Sequence, residues 1–400
     1  MWFVYVAVAL VLLVIGGLYV RRRLTGALAA LGVRERRVRV VRWGVLWVLY
    51  GVPVIMIVSV VVGVALGADS APALDGPLGT WLLLFPFTCA LLVTLQAVPW
   101  LLALDGACAI VRRRRDAATA NRVRTIGVLA ILGGFAVYTP ARILVERDAL
   151  RLREHRVVVS PAATAPFRIA FVADMQQDRH TDAERARDVY AMLNARRPDL
   201  VLSGGDWINM GPDYIEEAAA TAARLESRLG TFSVRGDHEH FAYFDQERSA
   251  AEVERALTRH GIAMVNDEVR WFEHGGKRIA VLFINHNYIH RTSAKTVDRL
   301  IGEARGADYT IAVAHQLDAL LTPLLVDRVD LVLAAHTHGG QINPVVGLVH
   351  VALARLETPY TDGRYQRGQT TIIVTAGVGY SIVPFRYASP GSIEIIELQL

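Results

Sequence analysis

The run DLVLAAHTHGGQINP, from Asp330 to Pro344, carries two imidazoles, His336 and His338, separated by one residue and followed by Gly339 and Gly340. In an extended segment or tight loop, imidazoles so spaced can address two different ions, and paired glycines let the backbone turn sharply beside them. His336 has company. Five apolar runs end on a possible metal ligand: FRIAFVAD on Asp174, DLVLSGGD on Asp206, TFSVRGD on Asp237, YTIAVAH on His315 and DLVLAAH on His336. A single strand-end aspartate is commonly a helix N-cap. Five strands ending so predict a shared centre, because α/β sheets build their sites beyond the carboxyl ends of the strands. Carboxylate and imidazole together suit manganese, iron or zinc rather than magnesium or calcium. An aspartate shared by two ions, such as Asp206, would hold them about 3.5–4 Å apart, the spacing of two-metal phosphoryl hydrolysis.

The segments VADMQ, GGD, RGDHE, AHQ and AHTHGGQ, in that order and spacing, resemble the calcineurin-like metallophosphoesterases, whose pattern is D-x-H, G-D, G-N-H-[D/E], H and G-H-x-H. THGGQI and the later GVGYSIVPFRYASPGSIEIIEL are most similar to the membrane-associated branch of that family. The resemblance covers about 165–400. It implies two divalent transition metal ions (Mn, Fe or Zn), one held by Asp174, Asp206 and His338, the other by Asp206, Asp237, His315 and His336. It implies a metal-bridging hydroxide as the nucleophile, and it makes His238 a non-ligand imidazole that protonates the leaving oxygen or steadies the phosphoryl group. Glu239 would orient His238 or a ligand from behind.

Two positions depart from the pattern. Gln176 stands where the family has its first histidine, and Asp237 stands where it has asparagine. A glutamine ligates only weakly, through its carbonyl oxygen, and Asp178, two residues on, would replace it if the loop bends. Asp237 adds an anion that should tighten the second metal. The expected function is a membrane-anchored phosphoesterase acting on a phosphate ester or diester, with a phosphorylated small molecule or lipid as substrate. The competing expectation is a metal-stabilised binding or sensing module without turnover, which Gln176 favours and His238 opposes. Arg235, Tyr288, Arg386 and Tyr387 are candidates to touch substrate, and His286 and His290 could line the cleft. His180, His260 and His274 read as surface residues.

Short Val/Ile/Leu/Ala runs separated by amphipathic stretches such as DAERARDVYAMLNARR (182–197) must position these groups. Such runs are strands covered on both faces. Further strands are expected at IAVLFIN (279–285), TTIIVTAGVG (370–379) and SIEIIELQL (392–400). The fold class is α/β, two sheets packed between helices in a four-layer αββα sandwich, over 167–400. Residues 146–166, ending in SPAATAP, read as a linker.

The first 145 residues hold the excess hydrophobicity behind the 53% apolar content. Four blocks, Trp2–Val20, Trp43–Gly67, Thr80–Leu104 and about Ile126–Val145, predict a transmembrane region of about four helices. The fourth is interrupted by Pro140 and Arg142. The segment 21–42 carries eight arginines and 107–124 carries six, whereas 68–79 has two aspartates and no basic residue. Basic loops stay cytoplasmic, which predicts a multi-pass protein of the cell membrane with its catalytic domain extracytoplasmic. The net charge of +5 is mostly these arginines. It therefore argues for attraction to anionic lipid rather than nucleic acid. Cys89 and Cys108 both fall in this region, so neither can staple the outer domain.

Overall fold

The computed structural model describes residues 2–69, 76–159 and 166–400. The chain forms two compact units, one of residues 1–62, 74–147 and 342–352, the other of residues 63–73, 148–341 and 353–400.

The first unit is helical. Helix α1 runs Trp2–Ala30, α2 Glu35–Leu46 and α3 Val52–Ala65, the last two joined by a π-helical turn at Trp47–Gly51. Helix α4 spans Phe85–Arg114 and α5 Ala117–Glu146. The segments Glu35–Ala65, Gly79–Arg114 and Ala117–Glu146 are each long and apolar enough to cross a membrane. Side chains 2–10 and 12 of the first expected span lie outside the described residues, as does part of the 68–79 loop. Val54, Ile57, Val61, Leu102 and Val137 are exposed, a distribution suited to a lipid-facing rather than a water-facing surface. Inside the unit, Val20, Ala27, Ala97, Leu101, Val128 and Leu132 pack together. Pro99 and Pro140 sit within α4 and α5 without ending them.

The second unit begins with β1 (Leu150–Val158) and β2 (Phe167–Val172), then α6 (Ala183–Asn194), β3 (Leu200–Ser203), α7 (Ile215–Ala222) and β4 (Thr231–Ser233). It continues with α8 (Gln246–Arg259), β5 (Ile262–Met264), β6 (Glu268–His274), β7 (Lys277–Ile284), α9 (Ala294–Glu303) and β8 (Tyr309–Ala314). The rest of the chain holds α10 (Thr322–Leu325), β9 (Leu331–Ala334), the short hairpin β10 (Val345–Val346) and β11 (Val349–His350), then β12 (Gly363–Arg367), β13 (Thr370–Val374) and β14 (Gly391–Gln399). The β10–β11 hairpin groups with the helical unit. Helices α6, α8 and α9 each start where Asp182, Asp245 or Ser293 accepts a backbone N–H of the first turn, satisfying a donor the helix cannot.

Two six-stranded sheets result, in the orders β1-β14-β2-β3-β4-β5 and β12-β13-β9-β8-β7-β6. Phe167, Ile169, Phe171, Leu202, Val281, Phe283, Ile311 and Leu333 pack in one core, with residues from both sheets, so the sheets stack face to face. The outer face of the first sheet packs on α6, α7 and α8, and that of the second on α9 and α10. This is the αββα sandwich expected. Truncating a filler such as Phe283 to alanine would cost about 3–5 kcal/mol.

One expectation changes. Leu150–Val158, within the stretch read as a linker, is an edge strand paired in parallel with β14. Its charged residues, Arg151, Arg153, Glu154 and Arg156, broke the apolar run that marks a buried strand. Arg153 and His155 are spent on the buried Glu394 of the neighbouring strand, at 2.6 and 2.7 Å. The rest of that linker, 160–165, lies outside the described residues.

Candidate metal centre

Strands β2, β3, β8 and β9 end at neighbouring points of the two sheets, and the residues just beyond them turn inward. Several adopt left-handed backbone to do so: φ is 51° at Asp174, 43° at Gln176, 59° at Asp206, 74° at His336 and 49° at His338. Non-glycine residues hold that conformation at a cost, and clusters of them mark functional sites. Glycines make room beside them. Gly205, at φ 91°, packs so tightly that a Cβ would lie 2.4 Å from the Gly236 nitrogen. A Cβ on Gly377 would lie 2.5 Å from that of Asp174.

Two groups of potential ligand atoms form, each within 4.8 Å: Asp237 with His315 and His336, and Asp174 with Asp206 and His315. The Asp237 Oδ2 oxygen lies 2.8 Å from His336 Nδ1 and 3.2 Å from His315 Nε2. His315 Nε2 is also 3.6 Å from Asp206 Oδ2. His315 Nδ1 donates to the Gly204 carbonyl at 2.7 Å. That bond fixes the ring and leaves Nε2 as the nitrogen that faces the carboxylates. Asp174 accepts the backbone N–H of His336 at 3.1 Å, tying β2 to the imidazole loop.

His338 falls in neither group. Its Nε2 lies 3.1 Å from the Gln176 amide nitrogen, which also donates to Asp206 Oδ2 at 3.1 Å. Gln176 Oε1 and His338 Nδ1 are buried with no hydrogen-bond partner among the described residues. Orphaned buried polar atoms are rare and ask for an explanation. An amide rotated by half a turn would point Oε1 at Asp206 and His338, where a ligand oxygen is wanted. Asp178 is otherwise engaged: one oxygen accepts the backbone N–H groups of His180 and Thr181, the other the Asn209 amide. The structure thus brings Gln176 to the centre and leaves Asp178 shaping the loop behind it.

The electrostatics fit a cation. Asp174 and Asp206 are nearly inaccessible and Asp237 is little more exposed, and no lysine or arginine pairs with them among the described residues. Buried anions so crowded need positive charge. Burial pushes the Asp174 carboxyl up to about 7, against the pull of His315. Burial would lower the His336 imidazole, but Asp237 holds it up at about 9. The surrounding aspartates likewise outweigh burial to raise His315 well above its ordinary value. His338 is depressed by burial and by Arg386, so it stays a neutral donor. The site gathers anionic charge at one end and a neutral imidazole at the other, a donor set that could hold a metal ion.

His238 stands beside this centre. Its backbone N–H donates to Asp206 Oδ1 at 2.9 Å. Its Nδ1 donates to the Asn209 carbonyl at 2.5 Å, so the Nε2 edge is the one left for chemistry. Glu239 turns away from it and accepts the backbone N–H groups of Asp206, Trp207 and Gly236, at 3.0, 2.7 and 2.6 Å. It braces the Asp206 turn rather than the His238 imidazole.

Other candidates change role. Arg386 is fully buried and donates to the carbonyls of His338, Ala376, Gly377, Gly379 and Ser389, so it clamps the loops behind the centre and cannot reach substrate. Burial lowers its guanidinium to about 10. Tyr387 is also fully buried. Arg235 pairs with Glu254 at 2.5 Å. His286 is buried against Asp318 and Arg291, whereas His290 is half exposed. Tyr288 remains at the centre, its ring 4.7 Å from that of His336. Glu357 is a residue the motifs did not point to. Its Oε1 lies 3.2 Å from His336 Nε2, and it accepts hydrogen bonds from Tyr288 and Gln316. A carboxylate behind a ligating imidazole orients the ring and raises its basicity.

Residues 167–340 match the calcineurin-like phosphoesterase family, and the chain carries a domain of that family. Its relatives include an uncharacterized metallophosphoesterase of Helicobacter pylori, 26% identical over 233 residues, 58% of this chain. The chain spans about 60% of the length of that relative. The metallophosphoesterase YkuE of Bacillus subtilis is 26% identical over 68% of this chain and 92% of its own length. A transmembrane protein with metallophosphoesterase domain from Danio rerio is 25% identical over 97% of this chain and 87% of its own. The last alignment extends through the apolar helices.

Proposed function

We propose that this chain is a membrane-anchored, metal-dependent phosphoesterase that hydrolyses a phosphate ester or diester. The observation that carries the reading is the convergence of Asp174, Asp206, Asp237, His315 and His336 on one buried centre, beside His238. In this reading Asp174, Asp206, Gln176 and His338 would hold one divalent transition metal, and Asp206, Asp237, His315 and His336 the other. Such ions supply a water activated near neutral pH and neutralise charge on the phosphoryl group. The chain does the remaining work. His238 Nε2 holds the proton that the leaving oxygen needs, with the Asn209 carbonyl keeping the ring in register. Glu239 keeps the Asp206 turn closed, and Glu357 sets the angle of His336. The arginine-rich segments support an extracytoplasmic position for the domain, where phosphorylated small molecules and lipids are both within reach.

Gln176 favours a second reading, a metal-stabilised module without turnover, because an amide oxygen binds a transition metal less well than imidazole. Purified full-length protein in detergent, assayed with added manganese on phosphomonoesters, phosphodiesters and lipid phosphates, separates the two. The phosphoesterase reading expects turnover that a chelator abolishes. Bound metal with no turnover on any of these substrates would leave the module.

A further inference from the structure

Away from the metal centre, one cavity in the helical unit has no role in the chemistry above. It has a volume of about 550 Å³ and is lined by Leu18, Tyr19, Arg21, Arg22, Thr25 and Arg42. Its walls follow from helix periodicity. Leu18, Arg22 and Thr25 recur at i, i+4 and i+7 on α1 and share a face, while Arg42 comes from α2. The neighbouring face of α1 carries Tyr19 and Arg23, and both bond to Asp105 of α4. Arg124 of α5 lies 3.5 Å from the same aspartate.

That contrast decides the reading. Arg23 and Arg124 meet Asp105, and Arg39 meets Glu35 at 3.3 Å. Arg21, Arg22 and Arg42 form no ion pair among the described residues, yet they edge one cavity. Three unneutralised guanidinium groups around a hollow create a strong local demand for an anion, and guanidinium suits phosphate oxygens. Leu18 adds an apolar wall, and the arginines follow directly on the apolar run Trp2–Val20. A ligand that is anionic at one end and greasy at the other matches both walls.

We propose that this cavity is a binding site for the headgroup of an anionic phospholipid. Arg21, Arg22 and Arg42 hold its phosphate, and Leu18 lies against the start of its apolar part. The site stands whether or not the phosphoesterase domain turns over. Lipid phosphate and free phosphate share the chemistry, so the test must tell them apart.

Full-length protein in detergent is examined by native mass spectrometry with added phosphatidylglycerol, phosphatidylcholine or inorganic phosphate. Retained phosphatidylglycerol, with little phosphatidylcholine, is the expected result. Each arginine replaced by glutamine should weaken retention about fivefold, the equivalent of about 1 kcal/mol per basic group. The matched variant Arg36→Gln/Arg37→Gln/Arg39→Gln removes as much charge away from the cavity and should retain the lipid. Equal loss in that variant would reduce the effect to a diffuse field and overturn the site. Equal retention of phosphatidylcholine, or displacement of phosphatidylglycerol by inorganic phosphate, would overturn the lipid assignment. Should the variant with Arg21, Arg22 and Arg42 all replaced by glutamine fail to fold, Arg42→Gln alone carries the test, and undiminished lipid retention in it would refute the proposal.

Discussion

In the helical unit Asp105 lies against Arg23 and Tyr19, with Arg124 3.5 Å away, so that half-buried carboxylate is answered by other side chains. In the phosphoesterase domain Asp174, Asp206 and Asp237 gather with His315 and His336, and the described residues include no lysine or arginine paired to them. The same domain does pair buried charge elsewhere: Glu394 is answered by Arg153 and His155. The crowding at the strand ends is therefore not a general habit of the sequence. A carboxylate closed by a side-chain partner is structure, whereas one left open among other carboxylates is a place for an ion.

The comparison breaks most visibly at Asp206. Asp206→Asn removes the anion assigned to both metals, and turnover is expected to fall by several orders of magnitude as bound metal is lost, read by activity and elemental analysis on one preparation. His238→Ala comes next. It should slow hydrolysis by roughly 10²–10⁴ while metal content holds, because His238 lies beside the ligands and not among them. Equal metal loss in the two variants would make His238 a ligand.

Glu357→Gln sharpens the account at the edge of the centre. Loss of the carboxylate behind His336 should weaken metal binding about 10–100-fold, seen as a higher chelator sensitivity with little change in melting temperature. The smallest effect belongs to the paired side of the comparison. Burial opposes ionisation of Glu394, but the hydrogen bonds from His155 and Arg153 win and hold its carboxyl below the ordinary range. A folded-state value below the unfolded one gives stability that is present above the unfolded value near 4.5 and lost as pH falls through the folded value. Glu394→Gln should cost about 3 kcal/mol at neutral pH, with the gap to wild type narrowing below pH 4.5. A pH series of melting curves measures it. Hydrolysis per folded molecule should not change.

Most of the sandwich was legible because its strands are buried on both faces: FRIAFV, LVLS and YTIAVA read as largely apolar runs, and the residues just past them announce the centre. The edge strands were not legible for the same physical reason. Glu268–His274 and Leu150–Val158 are partly exposed, and charged residues interrupt their apolar ones. The pairing of Leu150–Val158 with Gly391–Gln399 spans nearly the whole domain, which no local pattern encodes. In the site, Asp174, Asp206, Asp237, His315 and His336 sit on strand ends and could be found by position. Glu357 arrives from a 3₁₀ turn well past the AHTHGG segment, with no motif around it. The residues around Arg386, IVPFRYASPG, carry no signal of where its guanidinium goes. Only the packed loops reveal that its guanidinium is spent on backbone carbonyls.

The central claim is that the open carboxylates are closed by metal. Elemental analysis of the purified full-length protein, alongside Asp206→Asn and with phosphatase activity recorded on the same samples, tests it most directly. The account predicts two divalent transition metals per wild-type chain, both depleted in the variant together with activity. Wild-type protein that hydrolyses phosphate esters with no bound transition metal, or an Asp206→Asn variant that keeps both metal and turnover, would contradict it.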